Sequence, residues 1–267
     1  MDSIEKRLPI TAFVGSCNEG HLLERCLQGL FFCSEIYIID LQSDDNTLEV
    51  AKRCNTKILQ YPRYPLIEEA LYHAIPNATQ PWVLITDPDE VVSKSLANKV
   101  ISIFNSHDVN QYAAIRAPIQ FYFKDHALKG TIWGGSNTCR FLFQKKDITL
   151  SKVVHEGLQI SKEKRIFQIE RETFDLVVHH YWMTSYKGFI EKVNRYISKE
   201  GERMHAKGIV YLFPKQLKSS LVAFWNCFFL TKGYKDGLTG LFLSFIWTYY
   251  TFGSWLSLRR YIHKNSI

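Results

Sequence analysis

The sequence predicts an α/β fold in which a mainly parallel sheet is flanked by helices and followed by an apolar helical appendage. Two observations support this prediction. Short apolar runs alternate with helical periodicity over roughly the first hundred residues, a rhythm that implies right-handed crossovers between parallel strands. Roughly the last sixty residues carry long apolar helical patterns instead. We therefore predict an α/β domain over residues 1–210 and a helical tail over residues 211–267.

The first half of the chain supplies the alternating elements in order. Apolar runs that stop at polar residues predict strands, and apolar residues three and four apart predict helices. Ser43–Thr47 is typical of a turn and helix cap, and Pro62 and Pro65 separate a strand from the helix that follows. The predicted strands are 8–15, 35–40, 57–61 and a central one from 82, and the predicted helices are 22–30, a short one through 50 and 51, 66–75 and 93–104.

The second half changes character before the tail begins. Residues 113–144 alternate between strands and aromatic loops, and the strand 174–182 contains the pair His179 and His180, of which we expect one buried and one exposed. Ser185 predicts the cap of a helix that runs from 186 to about 207, where Gly208 would end it.

The central strand ends in an acidic run that contains Asp87, Asp89 and Glu90. Pro88 disfavours the α conformation at Asp87, so we expect an extended segment in which Asp87 and Asp89 share a face. Two adjacent carboxylates repel each other unless a cation lies between them, and Mg²⁺ or Mn²⁺ suits such oxygen ligands. The alternative is a solvated acidic turn.

Polar residues also follow the first two strands. Asn18 and Glu19 come after the first strand, and Asp40 ends the second. Since ligands of open α/β sheets bind beyond the carboxyl ends of the strands, we expect these residues and the acidic run to meet in one crevice. The sequence contains no G-x-G-x-x-G motif after the first strand, which argues against a dinucleotide cofactor. It also contains no P-loop.

Charge and cysteine content narrow the function classes. The chain has 267 residues and a formal net charge of +7, yet residues 186–267 hold 13 Lys and Arg against 4 Asp and Glu. This asymmetry argues against nucleic-acid binding and favours one end that faces an anionic partner. The six cysteines show no metal-ligand spacing, which predicts reduced thiols. Residues 1–8 are mostly polar and charged, unlike a secretory signal, so we expect a cytoplasmic protein.

The tail contains 22 consecutive uncharged residues, 237–258, followed by Arg259 and Arg260. We expect this helix to lie in the interface of the inner face of the plasma membrane, with its basic end on anionic headgroups. A core-packing helix and a spanning helix remain alternatives. Weakly polar residues form a narrow stripe along it: Gly240, Ser244, Thr248, Thr251 and Ser254.

Several stretches together resemble family-2 glycosyltransferases of the GT-A type, in particular bacterial lipopolysaccharide-core enzymes that add a β-linked glucose. The likeness covers about residues 8–207. Each motif alone is common, but their order is specific. The matching stretches are Cys17–Gly20, Arg25–Leu27, Glu35–Lys52, Trp82–Val92 and Val154–Gly157.

The resemblance implies a GT-A, Rossmann-like fold and a nucleotide-diphosphate sugar as donor, with a UDP-sugar favoured. It places Asp87 and Asp89 on the family's metal-binding Asp-x-Asp motif for Mg²⁺ or Mn²⁺, and His180 near the diphosphate or the metal. Glu156, in a His-Glu pair, is the implied catalytic base. Arg140 is predicted to bind the donor, and holding an acceptor phosphate or forming an ion pair are the alternatives for it. The predicted donor-binding residues are Asn18, Glu19, Asp40, Asp45, Asp87 and Arg140.

The chain departs from the family pattern at several positions. Cys17 stands where Tyr, Phe or Lys is usual, Leu41-Gln42 replaces Ser-Gly, and Pro88 replaces a small residue. These departures bear on the sugar and the acceptor more than on the reaction class. The expected acceptor is a membrane-anchored glycan or lipid. Alternatives are transfer to a polyprenyl phosphate, an inactive membrane-surface binding protein of the same fold, and a nucleotidyltransferase.

Overall fold

The computed structural model describes residues 7–64, 67–135, 137–150, 158–161 and 164–265. The strands are β1 (Leu8–Ser16), β2 (Cys33–Asp40), β3 (Lys57–Gln60), β4 (Trp82–Thr86), β5 (Glu90–Val92), β6 (Tyr112–Phe123), β7 (His126–Ala127), β8 (Asn137–Gln144), β9 (Ile148–Leu150), β10 (Leu158–Ile160), β11 (Arg165–Gln168) and β12 (Val178–Met183). The α-helices are α1 (Gly20–Gln28), α2 (Thr47–Arg53), α3 (Ile67–Ala74), α4 (Lys94–Ser106), α5 (Tyr186–Ala206), α6 (Phe213–Trp225) and α7 (Gly237–Asn265).

The main sheet follows the order β3-β2-β1-β4-β8-β6-β12-β5, with β7 and β11 pairing β6 beside this path. The strands β3, β2, β1 and β4 are parallel to one another. β8 and β5 join by antiparallel pairing to β4 and β12. The predicted α/β fold is confirmed, and its parallel half is the alternating part of the sequence.

The parallel half has a strongly apolar core. Phe13, Ile39 and Val83 are fully buried in neighbouring strands, and Leu71 of α3 packs against them. Leu96 and Val100 of α4 are also completely buried. Strands buried on both faces are typical of parallel sheets, which explains why these strands are near-continuous apolar runs in the sequence.

The chain divides into two compact units. One comprises Met1–Ile119 with Thr138–His180, and the other comprises Gln120–Asn137 with Tyr181–Ile267. The first contains the parallel half of the sheet, and the second contains α5, α6 and α7. The predicted division between residues 210 and 211 stays a prediction.

The second unit is an aromatic helical assembly. Phe123, Phe189 and Leu243 are buried at its centre. Trp133 and Trp182 pack against them, and the ring centroids of these two tryptophans lie 4.9 Å apart. The apolar helical pattern of residues 214–230 predicts a single helix, but α6 stops at Trp225 and a π-helical turn, Asn226–Leu230, follows.

The last helix is longer than predicted. α7 continues to Asn265, so the basic residues Arg259 and Arg260 belong to the helix. Gly240, Ser244 and Ser254 of the weakly polar stripe are buried within the unit. Within the described ranges, no helix combines the length and apolarity that crossing a bilayer requires.

A buried carboxylate ties three elements of the first unit together. Glu35 of β2 accepts hydrogen bonds from Thr11 Oγ1 at 2.6 Å, from Lys57 Nζ at 2.6 Å, and from the backbone and hydroxyl of Thr79. Burial alone would raise the pKa of Glu35, but the hydrogen bonds from Lys57, Thr11 and Thr79 outweigh it and lower the pKa to about 2.

We expect the free energy of unfolding to depend less on pH in the Glu35→Gln variant than in wild type. A carboxylate whose folded-state pKa lies below its unfolded value stabilises the fold above pH 4.5, and this contribution disappears as the pH falls toward 2. The difference in unfolding free energy between wild type and variant should therefore shrink by about 2 kcal/mol between pH 7 and pH 3. Urea unfolding at both pH values measures it.

Glu24→Gln is the matched control, because Glu24 pairs with Arg53 at 2.6 Å on the surface. Such exposed pairs contribute about 0–1 kcal/mol, so its effect should be small at both pH values. An effect of Glu35→Gln that is equal at pH 7 and pH 3 would contradict the assignment.

Candidate functional site

Three parallel strands end at the same edge of the sheet. Ser16 of β1 is aligned with Asp40 of β2, and Val14 of β1 with Thr86 of β4. The loops that follow these strands therefore start side by side, as parallel pairing requires. This edge brings together the Asn18–Glu19 loop, Asp40 and the acidic run after β4, as the sequence predicts.

Two of these loops are hydrogen-bonded to each other. Asn18 Oδ1 accepts the backbone N–H of Asp44 at 2.8 Å, and the Asn18 N–H donates to Ser43 Oγ at 3.0 Å. A Cβ atom on Gly20 would lie 2.7 Å from the backbone nitrogen of Thr47, which cannot move aside as a side chain can, so glycine permits this approach. The contacts fix the first loop against the loop that follows β2.

Asp45 and Asp40 stabilise the same region. Asp45 accepts the backbone N–H groups of Gly20 at 3.0 Å and Thr47 at 2.9 Å. Although partial desolvation opposes it, the hydrogen bonds from Thr47 and Gly20 lower the pKa of Asp45. Asp40 is completely buried, and its two oxygens accept bonds from the Ser43 N–H and from Gln60 Nε2. Their predicted contacts with a donor stay predictions.

The acidic run forms a turn rather than an extended segment. The Glu90 N–H donates to the Asp87 carbonyl at 3.0 Å, which closes a four-residue turn through Pro88 and Asp89. The expectation that Asp87 and Asp89 lie on one face of an extended chain is therefore wrong. Pro88 restricts Asp87 but is itself well suited to the second position of a turn.

His180 connects two carboxylates of this turn. Its Nε2 atom lies 3.3 Å from Asp89 Oδ2, and its Nδ1 atom lies 3.6 Å from Glu90 Oε1. The pairing of β12 with β5 places His180 directly opposite Glu90. Thr86 Oγ1 donates to Glu90 Oε2 at 2.9 Å. The predicted metal-site residues Asp87, Asp89 and His180 thus share one end of β4.

The crowded charges shift the pKa values of the cluster. Desolvation and the charges of Glu90 and Asp89 raise the pKa of Asp87 to about 7, and Glu19 adds to this effect. Burial raises the pKa of Glu90 as well. Burial alone would lower the pKa of His180, but its hydrogen bond to Asp89 and the surrounding carboxylates raise it. The cluster therefore favours additional positive charge.

The two histidines of β12 face opposite sides, as adjacent strand residues must. His179 lies 3.4 Å from Asp175, whereas His180 lies against the acidic run. The side chains are equally buried, so the expectation of one buried and one exposed histidine is wrong.

The end of β4 could offer one or two carboxylates to a divalent cation if a bound substrate supplied further oxygen ligands. Asp89 Oδ1 is buried and has no hydrogen-bond partner among the described residues. Among the residues that the structure describes, no group of three His, Cys, Asp or Glu side chains could hold a metal ion. Mg²⁺ typically uses one or two protein carboxylates and completes its shell with water and substrate phosphates. Asp87 and Asp89 could supply the carboxylates.

Of the two remaining predicted residues, the structure places Arg140 in a strand and does not describe Glu156. Glu156, with the neighbouring His155, lies outside the described residues. Arg140 belongs to β8, two residues from Leu142, which pairs with Leu84 of β4.

Sequence reasoning assigned no role to Glu90, although the structure places it between Thr86 and His180. Its position in the acidic run was visible in the sequence. The missing information was the pairing of β5 with β12, which joins residues far apart in the chain.

Comparison with known proteins identifies relatives of this chain. A family model described as Glycosyl transferase family 2 matches residues 11–189. An uncharacterized glycosyltransferase of Rickettsia felis is 23% identical over 261 residues, which cover 96% of this chain and 91% of that protein. One of Rickettsia prowazekii is 22% identical over 248 residues, covering 91% and 84%.

Solved structures show weaker similarity. Glucosyl-3-phosphoglycerate synthase from Mycobacterium tuberculosis, in complex with Mn²⁺, UDP and glucosyl-3-phosphoglycerate, is 14% identical with a TM-score of 0.33 over 45% of each chain. Its complex with Mg²⁺ and UDP gives 11% identity and a TM-score of 0.36, over 53% of this chain and 57% of that one. The chain thus spans about half the length of the mycobacterial enzyme.

We expect Asp87→Asn to stabilise the metal-free protein more at pH 8 than at pH 5. A carboxyl group whose folded-state pKa is raised from 3.8 to about 7 destabilises the fold increasingly as the pH rises through this range, because its ionised form is desolvated and lies close to the charges of Glu90 and Asp89. Asp87 borders solvent, which screens the repulsion. The gain in Tm should therefore be only about 1–3 °C.

Thermal unfolding in the presence of a chelator measures this difference. The exposed residue Asp125 provides the control, since Asp125→Asn should leave the Tm unchanged at both pH values. A lower Tm for Asp87→Asn at pH 8 would show that ionised Asp87 stabilises the fold.

Proposed function

Since the chain belongs to glycosyl transferase family 2, we propose that it is an inverting, metal-dependent hexosyltransferase. It would move a hexose from a nucleotide-diphosphate sugar to a hydroxyl of a membrane-anchored glycan or lipid. The observation that carries this proposal is the carboxylate cluster at the shared end of β1, β2 and β4, where Asp89 Oδ1 is buried without a partner among the described residues.

The donor would bind along this edge, and we favour a UDP-sugar. Asn18 and Asp45 hold the loops that face the crevice, and Glu19 lies close enough to act on the charge of Asp87. A donor that binds beyond the strand ends agrees with the general location of ligands in open α/β sheets. Asp40 would position the loop after β2 through Ser43, whether or not it contacts the nucleotide.

The departing diphosphate needs positive charge nearby, and the carboxylate cluster would hold a cation that supplies it. Asp87 and Asp89 would hold a Mg²⁺ or Mn²⁺ ion, and the bound ion would neutralise the charge that develops on the diphosphate. His180 would keep Asp89 oriented through its Nε2 atom. Its raised pKa leaves the imidazole more often protonated, which offsets part of the repulsion among the carboxylates.

The acceptor hydroxyl would attack the anomeric carbon from the side opposite the diphosphate. Glu156 is the proposed general base, and a single displacement of this kind inverts the anomeric configuration. The proposal rests on the resemblance of the His155-Glu156 stretch to a family His-Glu pair. General-base assistance contributes roughly 10²–10⁴ in rate, and juxtaposition of the two substrates contributes much of the remainder.

The acceptor and the location are inferred from the C-terminal part of the chain. Its basic surplus and exposed apolar side chains favour a protein that works on the cytoplasmic side of a membrane, on an acceptor such as a lipopolysaccharide core. A polyprenyl phosphate would satisfy the same features. A catalytically inactive membrane-surface protein is the alternative outside the enzymes.

We expect Asp89→Ala to abolish release of UDP from UDP-glucose. Wild type should release UDP only when Mg²⁺ or Mn²⁺ is present, because the carboxylates orient the ion against the diphosphate. The activity of the variant should fall by about 10²-fold or more. A coupled assay for nucleoside diphosphate measures this rate, with GDP- and ADP-sugars tested in parallel.

Asp125→Ala serves as the matched control, because Asp125 is an exposed aspartate outside the site. Full turnover in Asp89→Ala would remove this residue from the mechanism. Release of pyrophosphate in place of UDP would identify a nucleotidyltransferase.

We expect Glu156→Gln to lower kcat by roughly 10²–10⁴ without changing the affinity for the donor. The amide keeps the size of the carboxylate but cannot take the proton of the acceptor hydroxyl. Single-turnover kinetics together with UDP titration separate the two effects. An unchanged kcat would exclude Glu156 as the base, and a loss of UDP affinity would indicate a binding role instead.

A further inference from the structure

Helix α6 is built with its polar side inward. Its buried residues are Gln216, Ser220 and Ala223, and the π-helical turn adds buried Cys227. Large apolar residues occupy the opposite, exposed side. We call this side the apolar face, and its residues are Phe213, Leu217, Leu221, Trp225, Phe229 and Leu230.

The apolar face is continuous and strongly exposed. Phe213, Leu217, Leu221 and Trp225 are spaced four residues apart, which aligns them along one side of the helix. Leu221 is 65% exposed and Trp225 is 56% exposed. Leu238, at the start of α7, is 86% exposed. Soluble surfaces rarely leave a contiguous row of such residues in water, so the row marks an interaction surface.

The inward side satisfies its polar groups internally. Gln216 Nε2 donates to the Phe252 carbonyl at 3.1 Å, and Gln216 Oε1 accepts from the Tyr211 hydroxyl at 2.8 Å. Ser220 and Ser244 donate to carbonyl oxygens one turn earlier in their own helices. Hence none of these groups needs water, an arrangement typical of helices that contact lipid.

Small residues allow the helices to pack closely without large apolar side chains between them. A Cβ atom on Gly201 of α5 would lie 2.4 Å from the Ser257 carbonyl oxygen of α7. One on Gly253 of α7 would lie 2.7 Å from Ile197 of α5. Close packing through glycine and serine leaves the larger apolar residues for the outside.

The exposed charged residues between positions 209 and 265 are all basic. Asp236 is the only acidic residue between positions 209 and 265. Its side chain is completely buried and accepts the backbone N–H groups of Lys129 and Gly130. The basic residues of the same stretch are exposed, and they are Lys215, Lys218, Lys232, Lys235, Arg259, Arg260 and Lys264.

From this geometry we infer that the apolar face docks on a lipid bilayer that contains anionic headgroups, with α6 lying in the plane of the interface. The apolar side chains would enter the boundary of the acyl chains while the lysines contact phosphate groups. A second copy of the chain fits less well, since it would bring two unbalanced cationic borders together. The inference rests on the proposed function only for the nature of the acceptor.

On this inference, the docking element is α6 rather than the predicted helix 237–258. Much of α7 faces the interior of its own unit, because Leu243, Gly253 and Leu258 are buried there along with the weakly polar stripe. α6 presents its apolar residues on one side only, as an interfacial helix requires.

Co-sedimentation with vesicles tests the inference. Wild type should bind vesicles of phosphatidylcholine and phosphatidylglycerol, and bind phosphatidylcholine alone more weakly, with affinity that falls as salt rises. The double variant Leu221→Ser/Trp225→Ser should bind at least tenfold more weakly, an estimate from the loss of two large buried side chains. Phe174→Ser is the matched control, because Phe174 is 64% exposed and lies in the other unit.

A second measurement does not depend on disruptive substitutions. Lipids brominated along the acyl chain should quench the tryptophan fluorescence of wild type, and Trp225→Phe should lose most of that quenching while still binding. Equal binding by wild type and the double variant, or quenching that is unchanged in Trp225→Phe, overturns the inference. A dimer of wild type that the double variant dissociates, without vesicle binding, overturns it in favour of a second copy.

Release of UDP measured on the same preparations keeps the two proposals apart. Vesicle binding without release of UDP would support the docking surface and refute the proposed function. Release of UDP without vesicle binding would refute the docking surface alone.

Discussion

Repulsion among the carboxylates at the end of β4 is the constraint on which the site depends. Asp87, Asp89 and Glu90 stand within one tight turn, where desolvation and the charges of Glu90 and Asp89 raise the pKa of Asp87 to about 7. Such a cluster persists only if the surrounding fold holds it in place. β4 does so because it lies between β1 and β8 in the sheet, and His180 supplies partial positive charge from β12, which pairs with β5.

The loops beside the cluster show the same use of the parallel sheet. Because β1 and β2 end in register, the backbone after each strand can bond to the other, and Asn18 and Asp45 use their side chains for this purpose. Gln42 adopts a left-handed conformation with φ of 57° in the loop after β2. Glycine tolerates this conformation best, which explains physically why a Ser-Gly pair is the usual choice there.

Much of the first unit was predictable because its information is local. The apolar runs of β1, β2 and β4 stop at polar residues, and the helices between them have clear periodicity. The turn at Asp87 was not predictable from Pro88 alone, since proline suits both an extended segment and a turn. Glu90 acquires its partners through the pairing of β5 with β12, a long-range contact that no local pattern reveals.

The second unit was harder because composition does not say which side of a helix is buried. In the first unit, the large apolar residues face inward, as for Leu96 and Val100 of α4. In α6 this arrangement is reversed, and Gln216 and Ser220 face inward instead. Both patterns have the same helical period, so hydrophobicity alone cannot distinguish them.

The proposed function gives the contrast between the units a chemical rationale. A nucleotide sugar is charged and approaches from water, so a site for it needs a rigid polar crevice over an apolar core. A lipid-linked acceptor remains in a bilayer, and a protein reaches it only by exposing apolar side chains without leaving polar groups unsatisfied. The edge of the sheet in the first unit would provide the polar crevice. In α6, Gln216 bonds to Tyr211 and to the Phe252 carbonyl inside the unit, so the helix can expose apolar side chains without leaving this polar group unsatisfied. The reversal of polarity in α6 is therefore what a transferase that joins a soluble donor to a membrane-bound acceptor would require.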